Sequence, residues 1–296
     1  MNHLTRRRFL QSAAVATAAT AAGHLAQAAD KPGSRMQFGL VTYLWGQNWD
    51  LPTLIANCSE AQVLGVELRT THKHGVEQHL DRRQREQVNQ RFADSDVTLV
   101  GLGSNERFDH PDAAGLQKAV ETTKQFLQLS HDVGGSGVKV KPNSFHKDVP
   151  REKTIEQIGR ALNQLGPTAA DLGQQIRLEV HGQCAELPIM KQIMDVATHP
   201  SVGVCWNSNS QDLAGEGLAH NFHLVEDRFG ATAHVRCLDR DDYPFAELID
   251  LFVQSDYAGW VLLEARGNPA DPIAALAQQG TLFKQMVAAA QAKHAS

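Results

Sequence analysis

From position 37 onward, short apolar runs alternate with longer stretches in which apolar residues return every three or four positions. The short runs read as buried strands and the longer ones as amphipathic helices. Strands are predicted at 37–42, 64–69, 97–103, 137–141, 175–181, 202–206, 232–238 and 260–265. Helices are predicted between them, at 51–64, 80–92, 112–133, 151–172, 187–197, 218–229, 244–255 and 272–292. Asp50 and Asp271 stand where a helix N-cap is useful. Repeated strand–helix units of this kind predict an α/β protein with a single closed parallel (β/α)8 barrel over 37–296. An open doubly wound sheet is the alternative. It loses ground because no G-x-G-x-x-G follows the first strand.

Four of the apolar runs end in polar residues: I-R-L-E-V-H-G at 176–182, V-G-V-C-W-N-S-N at 202–209, T-A-H-V-R-C-L-D at 232–239 and G-W-V-L-L-E-A-R-G at 259–267. A parallel barrel points all its strand ends at one mouth. Side chains alternate between faces along a strand, and the outward face must be apolar to pack on helices. Glu67, Arg69, Lys139, Lys141, Arg177, Glu179, His181, Asn207, His234, Arg236, Glu264 and Arg266 are therefore expected to face inward. Charges inside a barrel must pair, hold a metal or bind a ligand. A purely structural network, such as Glu179–Arg236–Glu264, is one reading, and an active site is the other. Trp45, Trp49 and Trp206 lie near strand ends, where their faces either offer a stacking surface or simply fill core. His72, His74, Asn105, Asn143, His146, Asn209 and Asp239 are expected on mouth loops as candidate hydroxyl binders.

The first 28 residues carry a different pattern. T-R-R-R-F-L-Q at 5–11 precedes an Ala-rich apolar stretch, and Ala26-Gln27-Ala28 is a small-x-small cleavage site. This is the layout of a signal peptide. Arg6 and Arg7 with Phe9-Leu10 resemble a twin-arginine (Tat) signal. The expectation is a Tat-type signal over 1–28, a short linker over 29–36, recognition by the Tat export machinery and a periplasmic mature protein. The mature form should have no membrane span.

Without residues 1–28 the chain holds 25 Lys and Arg against 33 Asp and Glu, a net charge of about −8. That balance argues against a nucleic-acid partner. Cys58, Cys184, Cys205 and Cys237 form no CxxC pair and read mostly as buried thiols. The pattern leaves an oligomer open.

G-V-E-L-R at 65–69, L-E-V-H-G at 178–182, H-V-R-C-L-D at 234–239 and the last strand running to Glu264 resemble, in order and spacing, the xylose isomerase-like TIM-barrel superfamily, the sugar phosphate isomerase/epimerases and their relatives. The resemblance covers nearly all of the mature chain. It implies a TIM barrel binding a divalent metal (Mn, Mg, Co or Zn) through a Glu ending strand five, an Asp ending strand six, a His on strand seven and a Glu ending strand eight. The two Glu positions match Glu179 and Glu264. The Asp position falls on Asn207 and the expected His on Arg236. Asn offers an uncharged oxygen, and a guanidinium has no free lone pair. A metal would then need Asn207, and His234 or His181 as a substitute. Otherwise Arg236 is expected to clamp Glu179, Glu264 or an anionic substrate group.

The resemblance also implies proton movement beside a carbonyl by two strand-end acids. Glu179 and Glu264 are the expected acid/base pair, with His181 and Arg236 as catalytic helpers. Glu67, Lys139, Lys141, Asn207, Asn209, His234, Trp206 and Arg266 are the expected sugar contacts. Export disfavours sugar phosphates, so an unphosphorylated sugar or keto-glycoside fits better. The function expected is a sugar isomerase or epimerase. A keto-glycoside lyase working by β-elimination and an inert carbohydrate-binding barrel are the alternatives. An endonuclease of the related DNA-repair barrels would need a three-metal His/Asp/Glu pattern that this sequence lacks.

Overall fold

The computed structural model describes residues 31–294, so the expected signal peptide lies outside the described residues. Among the described residues, eight parallel strands alternate with eight α-helices. They run β1 (Gln37–Val41), α1 (Leu51–Glu60), β2 (Gly65–Arg69), α2 (Arg82–Ala93), β3 (Thr98–Arg107), α3 (Ala113–Asp132), β4 (Gly137–Lys141) and α4 (Arg151–Asp171). The second half adds β5 (Gln175–Glu179), α5 (Leu187–Val196), β6 (Val202–Cys205), α6 (Leu218–His223), β7 (Thr232–Val235), α7 (Phe245–Gln254), β8 (Trp260–Leu263) and α8 (Pro272–Lys293). The strands are hydrogen-bonded in the order β6-β5-β4-β3-β2-β1-β8-β7. The ring closes between β6 and β7 through two single bridges, Val204 to Phe229 and Asn207 to His234. His234 N donates to the Trp206 carbonyl at 2.7 Å across that seam. The fold is thus the expected (β/α)8 TIM barrel.

Each predicted element is present, with ends moved by a few residues. Asp50 accepts from Thr53 N, and Asp271 accepts from Ile273 N and Ala274 N, so both act as N-caps. The helix predicted over 218–229 stops at His223, and a short 3-10 turn follows at Glu226–Arg228. Phe229 is then free to join Phe222, Phe252 and Tyr257 in an aromatic cluster behind the seam. Strands β5, β7 and β8 end two or three residues before the predicted limits. β3 runs further than predicted and carries Asn105.

The main core lies between the strands' outer faces and the helices, and it includes Leu178, Val180, Val138, Val140, Val235 and Leu263. A second, small apolar layer of Val41, Val100 and Leu262 lies apart from it. Charged side chains fill much of the remaining barrel interior, and small residues leave room for them. A Cβ on Gly101 would stand 2.8 Å from Arg177 Nη1, and one on Gly103 would stand 2.8 Å from Glu67 Oε1. These are closer than carbon contacts allow, so the two glycines of β3 keep space for two buried charges. Ahead of β1, Asp256 accepts from Gly33 N at 2.9 Å and pairs with Arg35 at 2.7 Å. This ties the end of the expected 29–36 linker to the loop after α7. The four cysteines are free and buried. Among the described residues no helix is long and apolar enough to cross a membrane.

Candidate active site

Alternation brings Glu67 (β2), Lys139 (β4), Glu179 (β5) and His234 (β7) into the barrel, all essentially without solvent exposure. Lys139 Nζ lies 2.9 Å from Glu179 Oε2. His234 Nε2 lies 3.3 Å from Glu67 Oε1, and its Nδ1 lies 3.7 Å from Glu179 Oε1. Just beyond β6, Asn207 Nδ2 donates to Glu179 Oε1 at 2.8 Å and to Glu264 Oε2 at 3.3 Å. Glu264 follows β8 and is half-buried. The closing bridge of the barrel sets Asn207 beside His234, so the seam and the site are one place.

Opposite charges decide the ionisation here. Burial opposes the Glu179 carboxylate, but Lys139 and His234 outweigh it and hold Glu179 well below the usual carboxylate range. Burial likewise opposes the Lys139 charge, and Glu179, Glu67 and Glu264 hold the ammonium above its ordinary value. Glu67 is also lowered, with His234 overcoming its burial. For His234, burial opposes the charged ring, and the Glu67 and Glu179 carboxylates raise the imidazole well above its usual value. Two carboxylates and two cations thus share a dry space, each facing an opposite charge.

The rim holds the other expected residues. Lys141 is half-buried and donates to Asn105 Oδ1 at 3.2 Å, where Arg69 also donates at 3.0 Å. Burial, with Lys139 and Arg69 nearby, pulls the Lys141 amine down to about 8. His181 is lowered by burial and stays neutral at pH 7, within the field of Glu179 and Lys141. Asn209 donates to the carbonyls of Val180 and Asn207, at 2.9 and 2.7 Å, and so steadies the loop that carries Asn207.

Three expectations need correction. Arg236 does not clamp the glutamates; Nη1 pairs with Asp242 at 2.9 Å and its guanidinium lies over the Tyr243 ring. β7 ends at Val235, so strand alternation no longer governs the residue after it. Arg266, three residues past the end of β8, is exposed on the rim of a small cavity shared with Arg236, Cys237, Arg240 and Asp242. Trp206 is fully buried and packs against Phe222 and Phe229, at 5.7 and 6.1 Å between ring centres. It is the outward neighbour of Asn207 and fills core. The hypothetical Glu179–Arg236–Glu264 network is therefore absent, and Lys139 and Asn207 hold the two glutamates instead.

The sequence reading missed Asp212. Its carboxyl is buried, accepts from Asn209 N and from the Tyr243 hydroxyl, each at 2.8 Å, and fixes the turn that carries Asn209. Burial pushes it up to about 7. The visible signal was the spacing Asn209-x-x-Asp212, a capping-box pattern.

Glu179, His234 and Glu264 each offer one ligand atom, all within 4.8 Å of one another, a group that could hold a metal ion. Its surroundings fit a divalent ion poorly. The Lys139 ammonium already lies against Glu179, and the Asn207 NH2 group already spans the two glutamates. Both His234 nitrogens face carboxylates.

The family model of the xylose isomerase-like TIM barrel matches residues 55–285, and the chain belongs to that family. Solved structures agree on the fold. L-ribulose 3-epimerase superposes with a TM-score of 0.73 at 15% identity, over 88% of this chain and 97% of the other. The apo 3-keto-D-glucoside 4-epimerase of E. coli gives 0.72 at 14% identity, over 84% and 99%. The IolI protein with a binding zinc atom gives 0.68 at 14%, over 87% and 99%. No curated protein matches by sequence.

Proposed function

We propose that the mature protein is a periplasmic sugar isomerase or epimerase. It moves a proton on the carbon beside a carbonyl of an unphosphorylated sugar or keto-glycoside. The observation that carries this reading is the pair Glu179 and Glu264, held by one Asn207 amide where the strands end. One carboxylate is sealed in the barrel and the other reaches the mouth. The structural neighbours named above include two sugar epimerases, one of which acts on a keto-glucoside, and the reading follows their chemistry. The signal pattern of residues 1–28, with Arg6 and Arg7, supports export and so a sugar without phosphate.

In this mechanism one of the two glutamates removes the proton from the carbon next to the carbonyl. The C–H electron pair forms a double bond to the carbonyl carbon, and the carbonyl π pair moves onto its oxygen, giving an enediolate. Negative charge collects on oxygen and meets the positive groups of the site. The other glutamate returns a proton, to the same carbon from the opposite side or to its neighbour. His181, neutral at pH 7, contacts a substrate hydroxyl, and Lys141 with Asn209 lines the entry. If a glycosidic oxygen sits one carbon further along, the same carbanion expels it, which is the lyase outcome.

Proton exchange tests all three readings together. The mature protein is incubated in D2O with free ketoses and with 3-keto-glycosides, and proton NMR follows the carbon beside the carbonyl. Deuterium uptake by the wild type, reduced at least about 1000-fold in Glu179→Gln, is expected. Uptake with release of the aglycone identifies the lyase. Sugar binding with no uptake on any substrate identifies an inert binding barrel and sinks the enzymatic reading.

A further inference from the structure

We propose that this chain carries its own cation in place of the family's metal: the Lys139 ammonium pairs with Glu179, and the Asn207 amide beside it bridges Glu179 and Glu264. The inference rests on the sugar reading only for which oxyanion this cation later serves. Its first support is position. Lys139 Nζ stands 2.9 Å from Glu179 Oε2, with both side chains 1% exposed. A buried carboxylate therefore already has a fixed positive partner, and a dication there would be repelled by it.

The second support is the amide. An Asn at the position where the family resemblance implies an Asp brings no negative charge. Its nitrogen reaches one oxygen of each glutamate, at 2.8 and 3.3 Å. Those two N–H groups already occupy one oxygen of each carboxylate. Turned over, the amide would press its own oxygen against two carboxylates. The third support is ligand supply. The strand-seven ligand position holds Arg236, which engages Asp242 outside the pair. His234, two residues deeper, has one nitrogen toward Glu67 and the other toward Glu179.

The arrangement also balances during reaction. When Glu179 takes the carbon-bound proton it becomes neutral, and Lys139 loses its anionic partner. The pair left on the substrate forms the C=C bond, the carbonyl π pair passes to oxygen, and the ammonium faces that oxyanion. The charge enclosed by the barrel does not change, and no ion need enter or leave.

The test is a metal titration read without any sugar. Chelator-treated mature wild type, Lys139→Met, Asn207→Asp and the Lys139→Met/Asn207→Asp double variant are titrated with Mn2+ and with Zn2+ by calorimetry. Circular dichroism melts show which variants are folded. The expected result is no stoichiometric binding by the wild type and one ion per chain in the double variant, at least about 100-fold tighter. Asn207→Asp, nearly isosteric, should move part of the way. A wild type that binds one equivalent overturns the proposal. A folded double variant that still binds none also overturns it, because Lys139 and Asn207 are then not what excludes the ion. Deuterium exchange separates this from the sugar reading. Exchange unaffected by chelator in the wild type and lost in folded Lys139→Met supports both. No exchange under any condition sinks the sugar reading while the titration still judges the cation.

Discussion

Glu179 and Asp212 are both buried acids near the mouth of the same barrel, yet their environments drive them in opposite directions. Glu179 faces Lys139 and His234 and is held well below the usual range. Asp212 faces a backbone N–H and the Tyr243 hydroxyl, and burial carries it up to about 7 against these bonds and the Arg236 charge. Removal from water is common to the two. What differs is the partner: a full positive charge outweighs desolvation, and neutral hydrogen-bond donors do not. A buried acid is therefore read by what it faces, and the first of these two is built to stay ionised while the second is a turn-holding group.

The largest effect should come from breaking the first environment. Lys139→Met leaves Glu179 sealed without its main partner, and loss of one member of a buried pair costs about 3–5 kcal/mol. Urea unfolding at pH 7 should show that loss, and lowering the pH should restore part of it. The sign follows from linkage. In the wild type the depressed Glu179 adds stability above the unfolded carboxyl value, and that stability is lost as pH falls through the folded value. With Lys139 gone the carboxyl prefers to be protonated, and the slope reverses.

A smaller effect is expected at the second acid. Because Asp212 is raised from 3.8 to about 7, its contribution is fully present below about pH 4 and lost as pH rises toward 7. Asp212→Asn keeps the neutral acceptor for Asn209 N and Tyr243. It should flatten the stability profile between pH 4 and 7 and leave the variant more stable than wild type at pH 8, by up to a few kcal/mol. An unchanged slope in urea melts at pH 5 and pH 8 would show that Asp212 is ionised after all.

The smallest effect should be at Arg236, whose charge is spent on Asp242 at the rim. Arg236→Gln should leave deuterium exchange within about threefold of wild type, the scale of a surface change. A loss comparable to that of Glu179→Gln would return Arg236 to the centre of the chemistry.

Arg236 also marks where sequence reasoning stopped working. His234 and Arg236 share a face by alternation, and the rule held for His234 because β7 is still extended there. One residue past Val235 the chain leaves the sheet, and the side chain swings to Asp242. The same break explains Arg266, beyond the end of β8. Inside the strands the rule was reliable: Glu67, Lys139, Arg177 and Glu179 all lie in the interior. Trp206 illustrates the rule applied too loosely. Its inward neighbours Cys205 and Asn207 already implied that it faces the helices.

The order of apolar runs and helical stripes determined a covered parallel sheet, because such sheets bury that many short apolar segments, and the missing G-x-G-x-x-G favoured the closed barrel over the open sheet. Alternation then determined which charges enter it. What only the tertiary structure decided is which charges meet. The pairing of Lys139 with Glu179, and the span of Asn207 across two glutamates, join residues from four different strand ends. The first forms across the β4–β5 ladder and the second across the closing side of the ring between β6 and β8, and local spacing carries no record of either. The sequence by itself supplied the acids, and the packing of strand ends around the ring chose an ammonium and an amide to hold them.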